Sequence, residues 1–149
     1  MSLFNIMNIA GSAMSAQSVR LNTTASNLAN ADSVSSSSAT TYRARRPIFA
    51  TVYEDAMQST RDAGSASVEV ENITESTLDA IKEYMPNHPL ADRDGYIYRP
   101  NVNPVEEMAD MVSASRSYQT SVQVADSAKQ MLLQTYCTSW HKLSIFLKK

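Results

Sequence analysis

Two long stretches, one at each end of the chain, repeat their apolar residues every three or four positions, whereas the middle third alternates apolar with polar. In the first stretch Leu3, Met7, Ala10, Met14, Gln17, Leu21, Thr24 and Leu28 step by four and three. That is the spacing of a helix seam that packs on another helix. It predicts a helix from near Leu3 to near Ala29, about 40 Å long at 1.5 Å per residue. The other faces carry Asn5, Asn8, Ser12, Ser15, Ser18, Asn22, Thr23, Ser26, Asn27 and Asn30, and from Met1 to Ala31 the only charge is Arg20. A helix lying on a core with its back to water carries charge opposite its apolar stripe. This one is built to be surrounded by protein. Its propensity is mediocre, Gly11 alone costing about 1 kcal/mol relative to Ala, so partners have to supply much of its stability.

The second stretch has the clearest start in the chain. Asn103 suits an N-cap, Pro104 the first helical position, and Glu106 can reach back to close a capping box. Glu106, Glu107 and Asp110 lie where the positive helix end favours carboxylates. The seam Met108, Met111, Ser115, Tyr118, Val122, Ala125, Lys129 and Leu132 predicts a helix running to near Leu133.

Between them the pattern changes. Ser33 to Thr41 is rich in Ser and Thr and reads as a flexible loop. Tyr42 to Tyr53 reads as extended, with Pro47 confining it to an edge or a strand end. Gln58 to Ser65 is polar and loop-like, and Ser67 to Thr74 alternates as a half-buried strand does. Thr77 to Met85 is ambiguous, with Leu78, Ile81 and Met85 fitting a helical turn or two. Pro86 to Gly95 must turn, and Tyr96 to Tyr98 forms a short strand before Pro100. The fold expected is mainly α with a small β insert.

Composition narrows the function classes. With 13 basic and 15 acidic residues the formal charge is -2, and nothing demands nucleic acid or an anionic membrane. Eight Met, one Trp and three Phe suggest thin helix seams rather than a thick core. The single cysteine, Cys137, forms no internal disulfide, and with His88 and His141 it makes a poor zinc site or nucleophilic centre. Asp92 to Gly95 has its glycine too early for a calcium loop and reads as an ordinary turn. Arg43, Arg45 and Arg46 read as solvated or paired with a neighbouring subunit. No enzyme, cofactor or metal is expected. No run of about 18 apolar residues could span a bilayer, and no secretory signal is readable. The chain is therefore expected in the cytoplasm unless it leaves by a route that needs no cleaved signal.

Three stretches together resemble one family: Ser26-Asn27-Leu28-Ala29-Asn30-Ala31-Asp32-Ser33, Asp94-Gly95-Tyr96 followed by Pro100 to Met108, and Ser113 to Gln119. They are similar to the rod and hook axial proteins of the bacterial flagellum. The Pro-Asn-Val-Asn-Pro-Val-Glu-Glu-Met segment narrows the likeness to basal-body rod proteins of the C type, and it covers roughly Met1 to Thr135. The resemblance implies a structural subunit of the proximal rod that polymerises helically in the periplasm into a hollow, torque-transmitting shaft. It implies export through the flagellar type III apparatus without a cleaved signal. The implied neighbours are further copies, other proximal-rod subunits and a basal adaptor. It also implies that the terminal helices pair as a coiled coil around the channel while the middle segment faces outward.

On that basis residues 1–31 with 103–135 form the helical core, 32–102 a loop and small β-containing segment, and 136–149 an atypical tail. The expected assembly interface comprises Leu3, Met7, Met14, Leu21, Asn27, Leu28 and Asn30 on the first helix. On the last it comprises Met108, Met111, Tyr118, Val122 and Leu132. Asn103, Pro104 and Glu106 are the expected helix cap, and Asn27 and Asn30 are expected to cap the end of the first helix. The tail from Tyr136 departs from the family. It is either a lineage-specific extension that lines the shaft or packs on a neighbour, or the product of a translation-frame change. The rival class is a cytoplasmic coiled-coil adaptor or export chaperone, which would carry charged outer faces on both helices.

Overall fold

Two helices of unequal length frame the molecule, and what lies between them is two small antiparallel strand pairs. The computed structural model describes residues 3–53 and 66–146. In chain order the elements are α1 (Leu3–Asn30), β1 (Arg45–Tyr53), β2 (Ala66–Glu75), β3 (Ile81–Tyr84), β4 (Tyr96–Arg99) and α2 (Pro104–Phe146). The expected loop Gln58 to Ser65 lies outside the described residues. At 1.5 Å per residue, α1 is about 42 Å long and α2 about 64 Å.

The most extensive packing is between α1 and α2. They run antiparallel, since Asn27 near the end of α1 bonds Glu107 in the first turns of α2. Among the described residues the buried apolar core is six alanines (Ala10, Ala16, Ala31, Ala44, Ala114 and Ala128) and Ile97. Small side chains let two helix backbones approach closely, at the cost of little apolar area removed from water. Each helix turns a slightly different face inward than its spacing suggested. On α1 the buried positions are Ala10, Ala16, Thr23, Thr24 and Asn27. Met7 is exposed, and Leu21 and Leu28 are half-buried. On α2 the inward line is Glu107, Met111, Ala114, Ala125, Ala128 and Leu132, while Met108, Tyr118 and Lys129 face out. Ala10, Thr24, Met111, Ala125 and Leu132 of the expected seams lie on this inward side, whereas Met7, Met108, Tyr118 and Lys129 do not, because the closest approach in a thin seam falls at small side chains. The inward hydroxyls cost no stranded polar atoms: Thr23 and Thr24 both donate to the Arg20 carbonyl of their own helix.

β1 and β2 pair from Arg45 opposite Glu75 to Tyr53 opposite Ala66. Ile48 faces Asn72 but Phe49 faces Val70, so Glu71 is an extra residue and the ribbon bulges there. β1 and β2 both pack on α1, and the Val68 N–H donates to Ser12 Oγ at 3.3 Å. β3 replaces the helical turn or two that Leu78, Ile81 and Met85 suggested. Across its pairing with β4, Tyr84 meets Tyr96 edge-on at 5.2 Å and the Lys82 ammonium sits 4.0 Å from the Tyr96 ring centroid. Those cross-strand contacts outweigh a helical preference shared by three residues. Gly95, at φ +79°, allows the turn into β4, and its N–H donates to the Asp92 carbonyl.

The Ser/Thr-rich segment is pinned rather than loose. Ser35 and Tyr98 exchange both backbone hydrogen bonds, at 2.9 and 3.0 Å, and Thr41 is buried with its hydroxyl on the Ser37 carbonyl. The last helix also departs from expectation: it does not stop near Leu133 but continues to Phe146. No helix among the described residues is long and apolar enough to cross a membrane.

Candidate assembly interface

The centre of the molecule is a buried amide. Asn27 is 1 % exposed and uses all of its hydrogen-bonding capacity. Its Oδ1 accepts from the Arg45 N–H at 2.8 Å and from the Tyr42 hydroxyl at 2.9 Å. Its Nδ2 donates to the Arg45 carbonyl at 2.9 Å and to Glu107 Oε2 at 3.1 Å. Against Arg45 the side chain behaves as a neighbouring strand would, satisfying N–H and C=O together. The Tyr42 hydroxyl also shares a bond with Ser26 Oγ at 3.1 Å, and the Arg45 guanidinium lies 5.8 Å from the Tyr42 ring centroid. One side chain thus ties together the end of α1, the start of β1 and the first turns of α2.

This corrects the expectation that Asn27 caps its own helix. The local role falls to Asn30, whose Nδ2 donates to the Ser26 carbonyl at 2.8 Å, and to Ser33, whose N–H and hydroxyl both reach the Asn30 carbonyl. No local signal separates the two asparagines in sequence. Arg45 lies 18 residues from Asn27 and Glu107 lies 80 away, so only the fold brings them together.

Glu107 is 3 % exposed, an acid in the interior of a thin seam. Its carboxylate sits at the positive end of α2 and accepts from Asn27, which compensates its burial. At the start of α2, Asn103 Oδ1 accepts from the Val105 N–H at 3.1 Å, with Pro104 as the first helical residue. Glu106 is exposed, and no bond from it back to Asn103 occurs among the described residues. A second tie crosses the seam nearby. Arg20, the lone charge of α1, pairs with Asp110 at 3.0 Å. Of the arginines near β1, Arg45 pairs with Glu75 at 3.3 Å and Arg43 reaches the Ser76 carbonyl.

The other interface candidates divide by exposure. Leu3, Met14, Leu21, Leu28, Asn30, Met111, Val122 and Leu132 are half-buried; Met7, Met108 and Tyr118 face out. The outward apolar surface is larger than sequence spacing indicated: Val105 is 73 %, Met108 52 % and Val112 53 % exposed on one face of α2.

Comparison with known proteins places this arrangement in a family. Residues 7–35 match the model described as flagella basal body rod protein. Residues 93–135 match the one described as flagellar basal body rod FlgEFG protein C-terminal. The two matches contain the two ends of the link, Asn27 and Glu107. Over 135 residues the chain is 46 % identical to the flagellar basal-body rod protein FlgC of Salmonella typhimurium, covering 91 % of this chain and 96 % of that one. The FlgC of Escherichia coli O157:H7 is 45 % identical over the same shares. That of Bacillus subtilis is 32 % identical over 145 residues, 90 % of this chain and 96 % of the relative. The chain belongs to the FlgC family of flagellar basal-body rod proteins, structural subunits rather than enzymes.

Proposed function

We propose that the chain builds the proximal rod as a helically polymerised subunit, its α1–α2 pair acting as a two-stranded coiled coil packed beside the pairs of neighbouring copies. The observation that carries this reading is α1 itself. Its one charge is paired inside the molecule with Asp110, and the helix is otherwise uncharged. Covering such a surface with protein desolvates hydroxyls and amides, which find hydrogen bonds, and strands no ion. An adaptor or chaperone that meets partners one at a time would keep charge on that helix.

In this reading residues 1–31 and 103–135 form the assembling core, and the strand pairs of 32–102 face outward. The neighbours are further copies, other proximal-rod subunits and the adaptor beneath the rod. The subunit reaches the periplasm through the flagellar type III export apparatus. Residues 136–149 are the part least tied to this role, since α2 continues past the matched 93–135 region.

A strain lacking its own FlgC and supplied with this chain provides the test. The expected result is restored swimming, with the chain present in purified basal bodies. Accumulation of the chain in the cytoplasm as a stable dimer, with none in basal bodies, would refute the reading and favour the adaptor.

A further inference from the structure

One edge of the β1–β2 ribbon is open. In an antiparallel pair, successive residues turn their N–H and C=O alternately toward the partner strand and away from it. The root of the ribbon fixes the phase. The Ala44 carbonyl accepts from the Ser76 N–H at 2.8 Å, on the β2 side, and both backbone groups of Arg45 turn the other way, onto Asn27. Counted in twos along β1, Pro47, Phe49, Thr51 and Tyr53 also face away from β2. The bulge leaves this count intact, because its extra residue, Glu71, lies on β2. The phase agrees on β2, where Val68, opposite Thr51, sends its N–H outward to Ser12 of α1. Helix α1 therefore crosses the ribbon obliquely, covering the edge of β1 at Arg45 and the edge of β2 at Val68. Past Pro47, which has no N–H to give, nothing among the described residues bonds Phe49 or Thr51 on the outer side. Phe49 to Tyr53 holds no charge and no proline, and Phe49 is 38 %, Val52 39 % and Tyr53 75 % exposed. Soluble proteins blunt or cover an edge of this kind.

We propose that this edge takes a third strand, an extended and acid-bearing segment of a different protein, paired through the backbone of Phe49, Thr51 and Tyr53. The backbone decides the form of the occupant, since only another extended chain offers N–H and C=O groups at the matching spacing. Charge decides between partners. At the Pro47 end the edge runs into a groove of about 310 Å³ that Arg20, Arg46, Phe49, Glu107 and Asp110 help to line. Arg20 is paired with Asp110, and Glu107 is buried against Asn27. Arg46 is exposed and takes no ion pair among the described residues, so a carboxylate on the incoming strand completes it. A second copy fits poorly. Its β1 has no acid to offer, and Glu83 on its β3 is already held by Arg99 at 3.5 Å. A strand-accepting edge goes beyond the rod-subunit reading and stands without it.

Amide exchange of the purified, isotope-labelled full chain, read residue by residue, tests the edge directly. In the free chain the ladder should protect Ile48 and Ala50, while Phe49 and Thr51 exchange at least tenfold faster. The probe is a synthetic peptide of alternating valine and threonine with a glutamate at each end. It should slow Phe49 and Thr51 at least tenfold, and the same peptide with lysines in place of the glutamates should bind several-fold more weakly. Thr51→Pro removes an outward N–H that the ribbon does not use. It should keep the thermal midpoint and abolish the effect of the peptide, whereas Thr51→Ala behaves as the parent. Cells whose only copy is Thr51→Pro should not swim, and those with Thr51→Ala should. Phe49 and Thr51 protected in the free dilute chain, equal binding of the two peptides, or swimming with Thr51→Pro would each overturn the proposal. Protection that rises with protein concentration in the absence of peptide would show copies pairing edge to edge, and would overturn the choice of partner.

Discussion

Asn27→Asp puts the central link to its most direct test, because it changes one atom's chemistry and almost no volume. The substitution keeps the oxygen that accepts from Arg45 and Tyr42 and replaces the nitrogen that donates to the Arg45 carbonyl and to Glu107. A second carboxylate oxygen then stands where a donor lay 3.1 Å from Glu107 Oε2. Two unit charges about 4 Å apart at an effective dielectric of about 20 repel by about 4 kcal/mol. The two lost donor bonds cost about 1 kcal/mol each, and the two retained ones strengthen by a similar amount against a charged acceptor. The expected net loss is about 4 kcal/mol, dominated by repulsion.

Glu107→Gln in the same chain removes the repulsion and restores a donor facing the introduced carboxylate, so the double variant should regain about 3 kcal/mol of that loss. Glu107→Gln alone should cost less than about 1 kcal/mol, since its amide oxygen still accepts from Asn27. Urea unfolding of the purified chain, followed by far-ultraviolet circular dichroism, reads these differences. With a slope of about 2 kcal/mol per molar urea, the midpoint falls by about 2 M in Asn27→Asp and recovers most of that in the double variant. A midpoint within about 0.3 M of the parent, or no recovery on adding Glu107→Gln, would refute the reasoning.

Other substitutions probe the periphery of this link. Gly95→Ala should lower stability by about 1–3 kcal/mol in thermal melts, since φ is +79° and an added Cβ would lie 2.9 Å from a Tyr84 ring carbon. Gln17→Met should raise stability by about 1 kcal/mol in the same melts, because Gln17 Oε1 is buried without a hydrogen-bond partner and an apolar chain of like length removes that cost. Asn103→Ala should cost about 1 kcal/mol, the worth of the cap on the Val105 N–H, measured by urea unfolding. Deleting 136–149 should leave swimming unchanged while helical signal drops, since the family match ends at residue 135 and residues 133–136 of α2 are exposed.

Elements with local causes are legible in the order of residues alone. A three-four repeat marks a helix wherever it occurs, so both terminal helices could be read, as could the start of α2 at Asn103 and Pro104. Period-two alternation marks β2, and Tyr96 to Tyr98 marks β4. The lack of charge on α1 is also a property of the chain alone. Together with the Ser-Asn-Leu-Ala-Asn and Pro-Asn-Val-Asn-Pro-Val-Glu-Glu-Met segments, it pointed to an assembly subunit and to which assembly.

Everything that depends on what meets what was set by tertiary packing. Spacing cannot choose between adjacent faces of a helix when both hold uncharged residues, and close packing buried Ala16 and Thr23 beside the expected Ala10 and Thr24 while leaving Met7 and Met108 exposed. Strand β3 exists because Tyr84 and Lys82 find aromatic partners on β4, which no local propensity encodes. The role of Asn27 was least accessible of all. Near a helix end an asparagine looks like a cap, yet this one is held by a peptide group 18 residues on and a carboxylate 80 residues on. A hydrogen bond is short-ranged and indifferent to chain separation, so its partners become known only when the fold has put them about 3 Å apart.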